Sequence, residues 1–334
     1  MSNVIFDGGK IISDTCEKFN AYLNVNYSIL TTSGTTALEV AIKSLNLDES
    51  SLILIPDISF IATATAVANS GMIPVYLDCD CDSISFSFNS FKEKIDETPN
   101  IKAVIIVHFA GLVNREIKLI SSLCKERGIY LIEDCAQVFG GKINNQYCGT
   151  FGDLGVFSFQ TSKILTCGEG GLITTNNSNL ANRAQMLINW GLDENYNRHY
   201  DLPSSNHRIS ALAAKYLGEQ LKEIEKIIYN RHILYSNSVC VLKEKGIDIK
   251  FIAENNVTRD VPFFVLAVSQ KPKFKLHPLD EYPMHQSKIV RNYLSKSNLK
   301  KYESYIKKSN FSKSIAIIES TDFIPLYQLD LDTI

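Results

Sequence analysis

Five apolar runs of strand length punctuate the chain between residues 51 and 159: Ser51–Pro56, Ile73–Leu77, Ile101–Val107, Ile129–Ile132 and Leu154–Phe159. Runs that are apolar without alternation belong to strands buried on both faces, the signature of a parallel sheet. Segments with helical character separate the first four: Asp57–Asn69, ended by Gly71; Phe88–Glu97; and Glu116–Arg127, stopped by Gly128. Strand, helix and strand joined by short turns predict an α/β fold, a mostly parallel sheet flanked by helices. A further run, Gly170–Thr175, is expected to join that sheet antiparallel.

A chain of 334 residues, 45% of them hydrophobic, exceeds what one core usually serves. Two domains are expected: a large one over residues 1–229 and a smaller α+β one over residues 230–334. The 34 Lys and Arg nearly balance the 36 Asp and Glu, without a long basic run, so nucleic acid is not an expected partner. Eight scattered cysteines form no CxxC pair, so neither a zinc site nor any other metal is expected. Met1–Lys10 lacks a secretion signal, and no apolar run reaches the ~20 residues that span a bilayer. These features lead us to expect a cytoplasmic protein that does not associate with membranes.

Several local patterns bear on chemistry. Thr31–Leu45 opens with hydroxyls and a glycine, then shows helical spacing at Leu38, Ala41, Ile42 and Leu45. The Gly34, Thr35 and Thr36 amides at such a helix start could hold a phosphate, although hydroxyl-rich caps are common without one. Asp78-Cys-Asp-Cys-Asp82 lacks the glycine and distal glutamate of a calcium loop and is expected to be a solvated turn. His108 follows an apolar strand and is assigned no role, while core packing is the expectation for the Tyr282–His285 cluster. Gly191–Asn206 is a polar loop, and from Ile209 to Ile228 the spacing predicts one long amphipathic helix.

The richest stretch is Leu131–Gly171, LIEDCAQVFGGKINNQYCGTFGDLGVFSFQTSKILTCGEGG. Asp134 and Gln137 follow one strand, and Ser158 and Lys163 come at the end of another. Parallel neighbours would bring all four to the carboxyl edge of the sheet, where α/β folds bind ligands. A buried lysine there pairs with an anion or loses its proton and becomes nucleophilic, whereas an exposed one is inert. The glycine-rich Gly168–Gly171 turn beside it suits close approach of backbone to a ligand.

Five segments in order, SGTTAL (33–38), PDISFIATA (56–64), EDCAQ (133–137), GDLGVFSFQTSKILTCGEGG (152–171) and SNHR (205–208), resemble the DegT/DnrJ/EryC1 family of sugar aminotransferases. The resemblance implies fold type I aminotransferase architecture and the cofactor pyridoxal 5'-phosphate. It implies that Lys163 carries the cofactor as a Schiff base and moves the proton between cofactor and substrate carbons. Asp134 would meet the pyridine nitrogen, Gln137 the ring hydroxyl, and Phe60 the face of the ring. Gly34, Thr35 and Ser158 would hold the phosphate, joined by Asn206 from the partner subunit, with Arg208 assisting. Asn206 also fits as a cap for the helix that follows it.

The same resemblance implies a homodimer with shared sites, taking L-glutamate and a nucleotide-linked keto sugar. The product would be an aminosugar for surface polysaccharide, such as lipopolysaccharide O-antigen, or for a glycosylated product. Lysine at position 163 favours transamination over the family's dehydrating branch, where histidine is typical. A non-catalytic sensing protein on the same fold is disfavoured by the presence of Lys163, Asp134 and Gln137. A nicotinamide-binding fold would need G-x-G-x-x-G where this chain has Ser33–Thr36. The chain departs from the family in being short before the phosphate helix and after the closing element Ile324–Tyr327, leaving the sugar unspecified.

Overall fold

The computed structural model describes residues 8–80, 84–193, 195, 197–200, 202–250, 258–268 and 283–326. Asp82 of the acidic turn, Tyr282 of the C-terminal cluster and Tyr327 of the closing element lie outside these residues.

The strands are β1 (Tyr27–Thr31), β2 (Leu52–Pro56), β3 (Ile73–Leu77), β4 (Ile101–Val107), β5 (Tyr130–Asp134), β6 (Lys142–Ile143), β7 (Gln146–Tyr147), β8 (Leu154–Ser158), β9 (Gly171–Thr175), β10 (Asp248–Lys250), β11 (Thr258–Arg259), β12 (Phe264–Val268) and β13 (Thr321–Pro325). Seven of them form the central sheet in the order β1-β9-β8-β5-β4-β2-β3. From β3 across to β8 every neighbouring pair is parallel, and β9 runs antiparallel to both β8 and β1. β2, β3 and β9 are buried at every residue, which accounts for their unbroken apolar or small-residue character. Two three-stranded sheets, β10-β12-β13 and β11-β6-β7, complete the strand inventory among the described residues.

The helices are α1 (Gly8–Leu23), α2 (Gly34–Ser44), α3 (Ile61–Asn69), α4 (Phe88–Glu97), α5 (Ile117–Arg127), α6 (Ser178–Ile188), α7 (Ala211–Gln220), α8 (Ile224–Glu244), α9 (Lys296–Lys308) and α10 (Ser312–Ser320). The main core runs from Phe19 to Ile317 and includes Met284, Val290, Tyr302 and Phe311 from near the carboxyl end. A smaller core gathers Tyr235, Val239, Leu242, Ile249, Val265, Ile324 and Leu326 between α8 and the β10-β12-β13 sheet. Among the described residues no helix is long and apolar enough to cross a membrane.

Three local expectations need correction. Residues 57–60 are loop, and α3 begins only at Ile61, because the Asp57 carboxylate and carbonyl are committed to the His285 and Met284 amides. The helix expected from Ile209 is two helices, separated by a 3-10 turn at Leu221–Glu223 that apolar spacing alone does not reveal. The start of the acidic turn is not simply solvated. Asp78 Oδ1 accepts from the Ser314 amide at 2.7 Å and Oδ2 from the Lys313 amide at 3.1 Å, so this carboxylate caps α10 from a distant loop.

Candidate active site

β5 and β8 are parallel neighbours, with Asp134 paired to Val156 and Ser158 two residues further on. Their carboxyl ends open onto a cavity of about 570 Å³, the size of a small-molecule site. Gly34, Thr35, Phe60, Asp134, Gln137, Ser158 and Lys163 all line it, so seven of the expected site residues meet in one place. Asn206 does not. It is exposed, forms a bridge with Asn189 and lies outside this chain's cavity. Arg208 is also elsewhere, bonded to Asn189 Oδ1 with its guanidinium 4.0 Å over the Trp190 ring.

At the start of α2 the Ser33 hydroxyl accepts the Thr36 amide at 3.1 Å, which fixes the first turn. Helical geometry leaves the Gly34 and Thr35 amides without partners in the helix ladder, at the positive end of its dipole. A Cβ on Gly34 would lie 2.7 Å from the Ser158 Cβ, so glycine lets this helix end press against β8. Phe60 ends the loop ahead of α3 and remains 48% exposed, an open aromatic face at the cavity wall.

Lys163 stands in the loop between β8 and β9, its Nζ 4.8 Å from the Phe263 ring centroid. Burial lowers the pKa of its ammonium, opposed by the charge of Asp134. Burial likewise raises the pKa of Asp134, opposed by the Ala136 amide, then by Lys163 and by the Thr63 hydroxyl. Burial thus disfavours the charged form of both groups. On the far side of the loop, Arg231 of α8 donates to the Lys163 carbonyl at 3.3 Å and the Pro262 carbonyl at 3.4 Å.

Gln137 Oε1 accepts the Ala110 amide at 2.6 Å. Ala110 adopts a left-handed φ of 60°, unusual for a residue with a Cβ, in the 3-10 turn Phe109–Gly111 after β4. That turn in turn bonds the segment that brings Phe263 and Phe264 to the cavity, through Val261 N–H to Gly111 O at 3.0 Å and Phe263 N–H to Ala110 O at 3.3 Å. Sequence reasoning missed Phe263 and Phe264, along with Ser59 and Gln160, all of which line the cavity. Paired aromatics beside Pro262 were the available signal.

His108, Glu133 and Cys135 converge just behind Asp134. Glu133 already accepts the Phe151, Gly152 and Gly149 amides at 2.6, 2.8 and 2.9 Å and meets His108 Nε2 at 3.2 Å. His108 Nδ1 accepts the Asn114 amide at 3.1 Å, so the ring proton sits on Nε2 and points to Glu133. His108 and Glu133 are thus bonded to each other and to backbone amides, and His108 is a hydrogen-bonded core residue.

Comparison with known proteins places this geometry. Residues 1–281 match the model of the DegT/DnrJ/EryC1/StrS aminotransferase family. GDP-perosamine synthase of Vibrio cholerae is 32% identical over 220 residues, covering 66% of this chain and 59% of that protein. A UDP-N-acetyl-3-dehydro-alpha-D-glucosamine 3-aminotransferase of Acidithiobacillus ferrooxidans is 37% identical over 183 residues, 54% of this chain and 48% of its own length. This chain therefore spans roughly half to three fifths of these curated relatives. A DegT DnrJ EryC1 StrS aminotransferase structure from Brucella abortus superposes with a TM-score of 0.79 at 24% identity, covering 97% of this chain and 88% of that one.

Pyridoxal phosphate is the cofactor of this family, and the cavity fits it. The helix end pressed against Ser158 suits a phosphate, the half-exposed Phe60 offers a ring face, and a buried carboxylate and a buried amine share one space. On the family match and the fold type I architecture it carries, this chain belongs to the DegT/DnrJ/EryC1/StrS aminotransferase family.

Proposed function

We propose that the protein is a pyridoxal phosphate-dependent aminotransferase that moves an amino group, from L-glutamate, to carbon 3 or 4 of a nucleotide-linked keto-deoxysugar. The observation that carries the reading is the placement of Lys163 and Asp134 in one cavity with the α2 helix end and Phe60. The two curated relatives described above, one named for a GDP-sugar and the other for a UDP-sugar 3-amination, support the substrate class.

Bound pyridoxal phosphate supplies an electron sink for the pair left when a carbon–hydrogen bond of the substrate breaks. The residues of the chain supply the rest. The Gly34 and Thr35 amides and the Ser158 hydroxyl bind the phosphate, and Phe60 covers one face of the ring. Gln137, its Oε1 taken by Ala110, has its amide protons left to hold the ring hydroxyl. Asp134 accepts a hydrogen bond from the protonated pyridine nitrogen, and that cationic donor offsets the desolvation that otherwise favours the neutral acid.

Lys163 has two tasks. Its lowered basicity leaves more of the amine unprotonated, as covalent attachment of the cofactor requires. With the cofactor bound, Nζ would be placed to take a proton from the substrate carbon and to give it back. Phe263 and Phe264 give the cavity an apolar wall beside this amine.

The reading extends to a homodimer in which Asn206 reaches the partner's phosphate site. It is supported by the exposure of Asn206 and by exposed apolar side chains one turn apart, Leu212 and Tyr216 on α7 and Tyr229 and Ile233 on α8.

Borohydride reduction of the loaded protein, followed by peptide mass analysis, is expected to fix the cofactor mass on Lys163. Incubation with glutamate and a panel of 3-keto and 4-keto nucleotide sugars is expected to yield a product containing nitrogen. Absence of the adduct, or a sugar product that loses water without gaining nitrogen, refutes the reading.

A further inference from the structure

Asp134 has a separate donor for each oxygen. Oδ1 accepts the Ala136 amide at 3.1 Å, from the chain just past β5. Oδ2 lies 3.2 Å from the Thr63 hydroxyl, which belongs to the first turn of α3. Thr63 Oγ1 is in turn 2.7 Å from Ser59 Oγ, and Ser59 lines the cavity beside Phe60. Thr63 is wholly buried and Ser59 nearly so.

Counting protons gives the chain a direction. An ionised carboxylate only accepts, so Thr63 donates to Asp134. Thr63 has one hydroxyl proton, and once that is committed it can only accept from Ser59. Ser59 has then spent its own proton and turns lone pairs alone towards the cavity.

The placement of these hydroxyls matters as much as their number. Ser59 and Thr63 flank Phe60 in one stretch of chain, with the Thr63 amide bonded to the Phe60 carbonyl at 3.1 Å. The turn that presents the aromatic face therefore also holds the carboxylate. Under the reading above, one is to lie along the plane of the cofactor ring and the other to meet its edge, so their relative orientation is set by a single rigid unit.

We propose that Ser59 and Thr63 form a hydroxyl relay that positions Asp134 for the ring nitrogen, making Thr63 a positioning residue for the transfer. The inference rests on the proposed cofactor for the identity of the ring. The relay is neutral, so it orients the carboxylate without a second cation to compete with the ring nitrogen for its charge. Around Asp134 the other ionisable groups are Lys163 from the loop after β8, His108 at the end of β4, and Glu133 and Cys135 beside it in sequence. Loss of the Thr63 donor leaves desolvation less opposed, and Asp134 becomes easier to protonate.

Three variants test this: Thr63→Val, which keeps shape and removes the donor; Thr63→Ser, which keeps the donor; and Ser59→Ala, which breaks the relay one step back. In the apoprotein, the Asp134 carboxyl is followed by infrared difference spectroscopy against Asp134→Asn. Its titration midpoint is expected to move up in Thr63→Val, less in Ser59→Ala, and to return in Thr63→Ser. In the loaded enzyme, the pH profile of the cofactor absorbance should move with it. kcat should fall about 10–100-fold at neutral pH, the scale of losing an orienting partner, with KM little changed.

Wild-type titration and kcat in Thr63→Val, or failure of Thr63→Ser to restore them, overturns the relay. If Thr63→Val does not fold, Ser59→Ala decides, since it leaves the buried threonine in place. The two readings fail separately. Unlabelled wild-type Lys163 after borohydride refutes the cofactor assignment, whereas the apoprotein titration judges the relay with no cofactor present.

Discussion

Glu133 and Asp134 are neighbours on β5, and the two-residue period of a strand sends their carboxylates to opposite sides. Glu133 meets three backbone amides and a histidine, while Asp134 faces the cavity with one amide and one hydroxyl. The same chemical change should therefore have opposite effects. Glu133→Gln introduces amide protons against donors and is expected to cost about 1–3 kcal/mol, read as a lower melting temperature. Asp134→Asn is expected to melt higher than wild type as apoprotein at neutral pH, while losing transfer activity. The sign follows from the raised pKa: an acid easier to protonate when folded weakens the fold once ionised. The advantage of the variant is full above the folded pKa and vanishes as pH falls to the unfolded value, about 4. Gly34→Ala sets a methyl against Ser158 and is expected to cost about 1–3 kcal/mol and to weaken cofactor retention, measured by calorimetry and dialysis. Asp134, Gln137, Ser158 and Lys163 were legible because they cluster in one stretch. Thr63 and Ser59 were not, because hydroxyls among the alanines of residues 57–69 read as small residues for close packing.

Elements here are held by partners far away in sequence, which local patterns do not encode. α10 has Phe311 at its cap position, with no side-chain cap bond, and the carboxylate it lacks comes from Asp78 after β3. Asp78→Ala is expected to cost about 1 kcal/mol, a typical cap, in denaturant unfolding. Well upstream of α10, His285 Nδ1 lies 2.7 Å from Asp57 and its ring stacks on Phe311 at 4.0 Å, so two carboxylates fasten the carboxyl-terminal segment to the loops after β2 and β3. The parallel strands were readable because burial on both faces leaves unbroken apolar runs. α1 was not, since only Thr15, Phe19 and Leu23 are buried along sixteen residues. Nor was β1, whose place is set by pairing with β9 rather than by its own pattern.

At the scale of the whole molecule, the cavity of one chain contains Lys163 but not Asn206. If the site is shared, Lys163→Ala and Asn206→Asp should complement each other. Each variant alone is expected to lose activity, Lys163→Ala by at least about 10²–10⁴-fold. Refolded together in equal amounts, half the dimers are mixed and one of their two sites is intact, restoring about a quarter of wild-type activity. Activity that stays at the level of the separate variants rules out sharing.

The cavity wall also has a history. Among its residues Ser33 and Gly34 are made before Phe263 and Phe264, and the Asp57 loop gains its bonds to the Met284 and His285 amides later still. A nascent chain with Lys163 and Asp134 already made thus lacks the Phe263 and Phe264 wall of the pocket until that later stretch has been synthesised. Holding the cofactor then marks a chain that has been translated far enough, and folded well enough, to work.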